Sequence, residues 1–387
     1  MGKILIGEAA ARPLRSTSMN HIAGVSTTTV AGIVVAMLMC PQALRAQEGR
    51  YAAAIREGRD ALTQLVAKRQ APGVGVAVAV GGEVVWTEGF GLANLEHRVP
   101  VSADTRFGLG SISKTLTMAA AVRLVDQGRL DLDAPIEKYL PDFPQRGQGI
   151  TVRRLAAHQS GLSDAFAANH YLTTRDFPTL DPAYQEITRH GIEYVPGSKT
   201  VYATGLFTII GRVLEAAGGV DYRVLMAREV FGPVGIGPFV NDARTIIEHR
   251  SAYYANGDAG RFEHAPIVNP THKLPGAGFI ATASEVARFG AALLKPSFLS
   301  ERARREMFTP VPLADGTPTE WGLGLQVGTD QHGRVVHLPG GGLGISGWLF
   351  IHPDANVVIA LLSNVNTSPV GGRAYRRIAD AFIAAAR

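Results

Sequence analysis

Residues 74–88 read V-G-V-A-V-A-V-G-G-E-V-V-W-T-E. A valine-rich run, the pair Gly81-Gly82 and a second β-rich run make a hairpin pattern, because glycines reach the positive φ of a two-residue turn without steric cost. Ahead of it, residues 51–70 set Ile55, Leu62 and Leu65 among alanines at helical spacing, and A-P-G at 71–73 ends that helix. The far end of the chain repeats the strand signal at 321–327 (W-G-L-G-L-Q-V), 334–338 (R-V-V-H-L), 347–351 and 357–363 (V-V-I-A-L-L-S). The P-D-A-N turn at 353–356 separates the last two, and 373–386 reads as a closing helix. Between the two ends, 111–127, 151–158, 204–217, 221–231 and 284–294 carry helical patterns. Strands at both ends and helices in the middle predict an α+β fold. One antiparallel sheet is built from both chain ends and flanked by helices, with a mostly helical lobe inserted. The expected α/β lobe is about 47–105 and 275–387, the helical lobe about 106–274, with a ligand cleft where they meet.

Composition removes several function classes. Of 387 residues, 46% are apolar and 18% charged, enough core material to rule out intrinsic disorder as the main state. Three of the five net positive charges lie in residues 1–46, so the rest carries no clustered basic face for nucleic acid. Cys40 is the only cysteine, which excludes a disulfide framework, a cysteine-rich zinc site and a cysteine nucleophile in the folded body. The eleven histidines form no H-E-x-x-H or H-x-H pattern, and no P-loop, dinucleotide fingerprint or G-x-S-x-G elbow is present, so no metal and no cofactor is expected. Val30 to Met39 is a ten-residue apolar run behind a basic, Ser/Thr-bearing lead. It reads as the core of a signal peptide over 1–46, cleaved after Ala46 for export; an organelle-targeting segment or an uncleaved anchor is the alternative. No other segment reaches transmembrane length, so no stable membrane span is expected in the mature chain, residues 47–387.

The chemistry gathers at 105–118, T-R-F-G-L-G-S-I-S-K-T-L-T-M. Gly108 and Gly110 precede an apolar helical run, which sets Ser111 in its first turn and Lys114 one turn along on the same face. A serine hydroxyl needs a base, and a lysine serves only when burial or a neighbouring cation lowers its pKa. By spacing alone S-x-x-K is common, and the pair reads more readily as a helix cap beside a solvated lysine. Ser113 points roughly 200° away from Ser111 on a helix.

The wider blocks carry a resemblance. F-G-L-G-S-I-S-K-T-L-T-M, then G-R-L-D-L-D-A-P-I-E-K-Y-L-P at 128–141 and A-A-H-Q-S-G-L at 156–162, resemble the serine β-lactamase-related hydrolases. This family holds class C β-lactamases, D,D-peptidases and family VIII esterases. S-I-S-K-T-L-T-M and the later Y-A-T most resemble its mitochondrial β-lactamase-like serine protease branch, and the likeness spans about residues 51–387. It implies that Tyr202, in V-P-G-S-K-T-V-Y-A-T-G-L at 195–206, matches the tyrosine of the family's Tyr-x-Asn, with Thr204 where asparagine is usual. That exchange weakens penicillin hydrolysis more than esterase or peptidase activity. In V-H-L-P-G-G-G-L-G-I-S-G at 336–347, the resemblance offers His337 for the family's strand motif, although two residues rather than one separate it from Gly340, and Gly341 as a second oxyanion donor.

The reading is a serine hydrolase that cleaves a carboxylic ester or amide through a Ser111 acyl-enzyme. Lys114 and Tyr202 form the acid/base pair, and His337, Gly340, Gly341 and Thr204 sit on the substrate or oxyanion side. The partner is a small ester, amide or peptide; the sequence is silent on oligomeric state. A D,D-peptidase or weak β-lactamase, and a catalytically idle scaffold, are the alternatives. His158 reads as a helix C-terminal cap, Gly276 and Gly278 as packing glycines, and Asp164 has no assigned role.

Overall fold

A computed structural model describes residues 41–237 and 239–387. The expected targeting segment lies outside the described residues as far as residue 40; from there the chain is already helical, in α1 (Pro41–Ala67). The hairpin forms as β1 (Gly73–Val80) and β2 (Glu83–Asn94), followed by the short β3 (Val99–Pro100). The other end supplies β4 (Gln326–Asp330), β5 (Gly333–Gly342), β6 (Ile345–His352) and β7 (Val357–Ser363). All seven make one antiparallel sheet in the order β3-β2-β1-β7-β6-β5-β4. The seam between the chain ends is β1 on β7, running from Val74 opposite Ser363 to Val80 opposite Val357.

The period-two alternation of a strand explains both layers on this sheet. Val74, Val76 and Val78 face α1 and α5 (Arg373–Ala386), in a core with Leu62, Leu65, Ile378 and Phe382. Trp86 stacks on Phe382 with ring centroids 5.7 Å apart. The opposite face carries Gly75, Ala77 and Ala79. These small residues let α4 (Ala283–Ala292) pack close, and Val286 and Phe289 join the second, larger core. Each buried valine or phenylalanine contributes about 1.5–3 kcal/mol of transfer free energy.

That larger core surrounds α2 (Ile112–Asp126), which is buried on nearly every side. Such a helix must satisfy its hydroxyls internally. Thr115 donates to the Gly324 carbonyl and Thr117 to that of Pro275, while Ser113 accepts from the Phe279 N–H. Ser113 is fully buried and faces away from the cleft described below.

One expected strand is corrected. Residues 321–325 are a turn rather than the first part of a strand over 321–327, because Gly324 adopts φ +70° and grips α2 and α3 (Val152–Ala156). A Cβ on Gly324 would stand 3.0 Å from the Lys114 carbonyl oxygen, and its N–H donates to Ala156. The expected helix over 221–231 forms at Tyr222–Met226 and widens to a π turn at Ala227–Phe231. Among the described residues no helix is long and apolar enough to cross a membrane.

Candidate active site

The N-terminal end of α2 points into a cleft of about 490 Å³. The approach is set by glycines. Gly110 has φ +51°, and a Cβ there would sit 2.6 Å from the Gly341 nitrogen. A Cβ on Gly340 would sit 2.1 Å from the Leu109 carbonyl oxygen. Backbone therefore lies against backbone, and Ser111 and Gly341 line the same cleft. Among the described residues the Ser111 N–H meets no backbone acceptor.

Ser111 is 8% exposed, and its Oγ is 2.5 Å from the Tyr202 Oη. Lys114 is fully buried, and its ammonium donates to Ser111 Oγ at 3.0 Å, Thr204 Oγ1 at 3.1 Å and the Gly276 carbonyl at 2.9 Å. All three protons of the amine are thus directed. Burial pushes the Lys114 pKa below the ordinary lysine value, against the opposing pull of Tyr202 and Asp164. Burial would raise the Tyr202 phenol, but the Lys114 charge and hydrogen bonds from Lys114, Ser111 and Thr204 outweigh it and hold the phenol below its usual value. Both groups are thus held below their ordinary values, and hydrogen-bonded through Ser111 Oγ they are placed to pass one proton between them. Although Tyr202 as a residue is 47% exposed, its hydroxyl end is the part directed at Ser111.

The Tyr202–Thr204 segment lies far from α2 in sequence and is held by two side chains. His158, at φ +61°, occupies the left-handed position after the Val152–Ala156 helix, in keeping with a cap. It also brackets the tyrosine: its carbonyl accepts from Val201, its Nδ1 accepts from Ala203, and its ring lies 4.5 Å from the Tyr202 ring. Burial, then repulsion from Lys114, depresses the His158 pKa well below 6.5, so the ring stays neutral and keeps its acceptor. Asp164 accepts from the N–H groups of Thr204 at 2.8 Å and Gly205 at 2.9 Å. Gly205 leaves the room, since a Cβ there would fall 2.4 Å from Asp164 Oδ1.

Of the residues singled out in the sequence, Ser111, Tyr202, Thr204, Gly340 and Gly341 line the cleft, and Lys114 stands directly behind Ser111. His337 does not line it. Its ring lies 5.9 Å from Trp348 and 5.9 Å from Phe350, further back along β5. Gly276 supplies a carbonyl to Lys114 as well as packing space. The anchoring roles of His158 and Asp164, and the presence of Lys273 in the lining, were missed. His158 stands in the A-A-H-Q-S-G-L block; Asp164 and Lys273 have no local signal.

Residues 59–382 match the family model described as Beta-lactamase. The human mitochondrial serine beta-lactamase-like protein LACTB is 27% identical over a 346-position alignment covering 68% of this chain and 63% of that protein. The chain thus spans less than two thirds of that relative's length. Esterase EstB of Burkholderia gladioli is 26% identical, with 83% of this chain and 93% of that protein covered. Among solved structures, a D-stereospecific amidohydrolase from Streptomyces superposes with a TM-score of 0.68 at 25% identity, covering 84% of this chain and 98% of that one.

Proposed function

The chain is a member of the β-lactamase family of serine hydrolases, and from that premise we propose that it cleaves carboxylic esters or amides through an acyl-enzyme on Ser111. The observation that carries the reading is a hydroxyl held between a buried amine at 3.0 Å and a phenol at 2.5 Å. With the Tyr202–Lys114 pair one proton short of phenol plus ammonium, Ser111 Oγ gives its proton to that pair as it bonds to the substrate carbonyl carbon. The carbonyl oxygen becomes an oxyanion between the N–H groups of Ser111 and Gly341, donors each worth about 3–4 kcal/mol in such sites. Collapse breaks the bond to the alcohol or amine, which leaves with the proton that Tyr202 returns. Water then repeats the sequence on the acyl carbon and frees Ser111. His337 has no part in this scheme. The relatives named as an esterase and a D-stereospecific amidohydrolase support ester and amide substrates.

The test is covalent trapping. A fluorophosphonate probe is expected to add once per chain, with the adduct on the Ser111 peptide by mass spectrometry and none in Ser111→Ala. Labelling that survives in Ser111→Ala would remove Ser111 from the mechanism, and an unlabelled wild type would favour an idle scaffold.

A further inference from the structure

Among the described residues, the lining of the cleft contains one lysine, Lys273, and no aspartate or glutamate. Lys273 ends the 3-10 turn Pro270–Lys273, immediately before the Leu274–Ala277 turn whose Gly276 carbonyl receives Lys114. The segment that orients the base therefore also carries a second amine into the same space. Among the described residues the Lys273 ammonium has no ion-pair or hydrogen-bond partner; it lies 5.1 Å over the Tyr171 ring. A ring face attracts a cation but brings no counter-charge. Asp164, the carboxylate whose field reaches Lys273, is already engaged by the backbone of Thr204 and Gly205. Burial, then repulsion from Lys114, holds the Lys273 pKa below its ordinary value. A partly buried ammonium with no counter-charge against it gains from an anion placed beside it. His272 beside it stays neutral, its pKa pushed down to about 3 by burial, so it adds no second charge to the lining.

We propose that Lys273 is a specificity-determining residue that recognises a carboxylate on the substrate, so that Ser111 acts preferentially on esters or amides carrying a negative charge near the scissile bond. The proposal rests on the Ser111 reading above. The carboxylate can belong to the acyl chain or to the leaving group, and two substrate pairs separate these sources. The first is mono-4-nitrophenyl adipate against 4-nitrophenyl hexanoate; the second is 3-carboxyphenyl hexanoate against phenyl hexanoate. In one pair, kcat/KM for the charged ester is expected to exceed that of its neutral partner by about tenfold, the gain of one modest ion pair. Lys273→Met brings that ratio close to one and Lys273→Arg keeps it. Lys295→Met, at the exposed pair with Glu83 outside the cleft, serves as the control that leaves the ratio alone. A ratio near one in both pairs for the wild type, or a preference that persists in Lys273→Met, overturns the proposal. Fluorophosphonate labelling of the same preparations separates the two possible failures. Protein labelled on Ser111 without charge preference loses only the Lys273 assignment. Protein that does not label loses the Ser111 reading and this one with it.

Discussion

On the Ser111 side of the cleft, backbone lies against backbone; on the Tyr202 side, a loop hangs from two side chains. The first wall owes its shape to absent side chains, since Gly110 and Gly340 admit contacts that a single Cβ would block. The second owes its shape to a neutral imidazole that accepts from the Ala203 N–H and a carboxylate that accepts from those of Thr204 and Gly205, with the His158 carbonyl receiving Val201. The first geometry is nearly local, because Ser111 and Lys114 are three residues apart on one helix. The second is assembled across about 90 residues of chain, as the Ser111–Tyr202 separation of 91 records. A wall of close-packed backbone responds to added volume, whereas a hung loop responds to lost acceptors. Substitutions on the two walls are therefore expected to fail in different ways.

The largest effect belongs to the amine that joins the two walls. Lys114→Met is expected to lower kcat/KM on a 4-nitrophenyl ester by about 10²–10⁴, the usual range for removing a general base. A loss below tenfold would mean that the phenol works alone. On the glycine wall, Gly340→Ala must displace the Leu109 carbonyl. It is expected to cost about 1–3 kcal/mol of stability and, by shifting the oxyanion crevice, about 10² in kcat. Thermal melting together with steady-state kinetics reads both, and a variant as stable and as active as wild type would break the backbone-contact account. On the hung wall, Asp164→Ala strips acceptors from two N–H groups. A drop of about tenfold in kcat is expected, corresponding to roughly 1–3 kcal/mol for a lost buried acceptor, with partial recovery in Asp164→Asn, which keeps one oxygen. Equal loss in both variants would point to the charge rather than to the hydrogen bonds.

The smallest effect, read over a single pH unit, is a pH dependence of stability. His158 and His272 are buried neutral, with His272 near pKa 3 against an ordinary 6.5. Below pH 6.5 the unfolded chain binds protons that the folded one excludes. The stabilising contribution is therefore complete above pH 6.5 and falls as pH drops below it, by about 1.4 kcal/mol per pH unit for His272 down to its pKa of about 3, with His158 acting in the same direction. Denaturant midpoints at several pH values measure the slope, and a flat profile across that window would show that these rings are open to water.

How much of this could be read in the chain follows the same division. The β1–β2 hairpin and the meeting of the two ends in one sheet were legible, because alternation and turn residues are local signals. The Ser111–Lys114 pair was legible through helical spacing. Tyr202 was reachable only through resemblance, since nothing in V-P-G-S-K-T-V-Y predicts that it crosses to α2. His337 was misplaced because it precedes Gly340 by three strand residues, about 10 Å of rise, so β5 carries its glycines to the cleft and leaves the histidine behind. The turn at 321–325 escaped because apolar residues masked the bend at Gly324. Asp164 and Lys273 act through backbone groups and space supplied by distant segments, and no periodicity marks such residues.

The central claim is that Lys114 and Tyr202 act on Ser111 as one unit, and a double-mutant cycle on kcat/KM tests it most directly. Lys114→Met, Tyr202→Phe and the double variant are compared on one neutral ester, with Ser111 labelling as the check that each is folded. The shared-proton arrangement predicts strong non-additivity, with the double variant little worse than the more damaged single one. Independent losses that multiply in the double variant would contradict it.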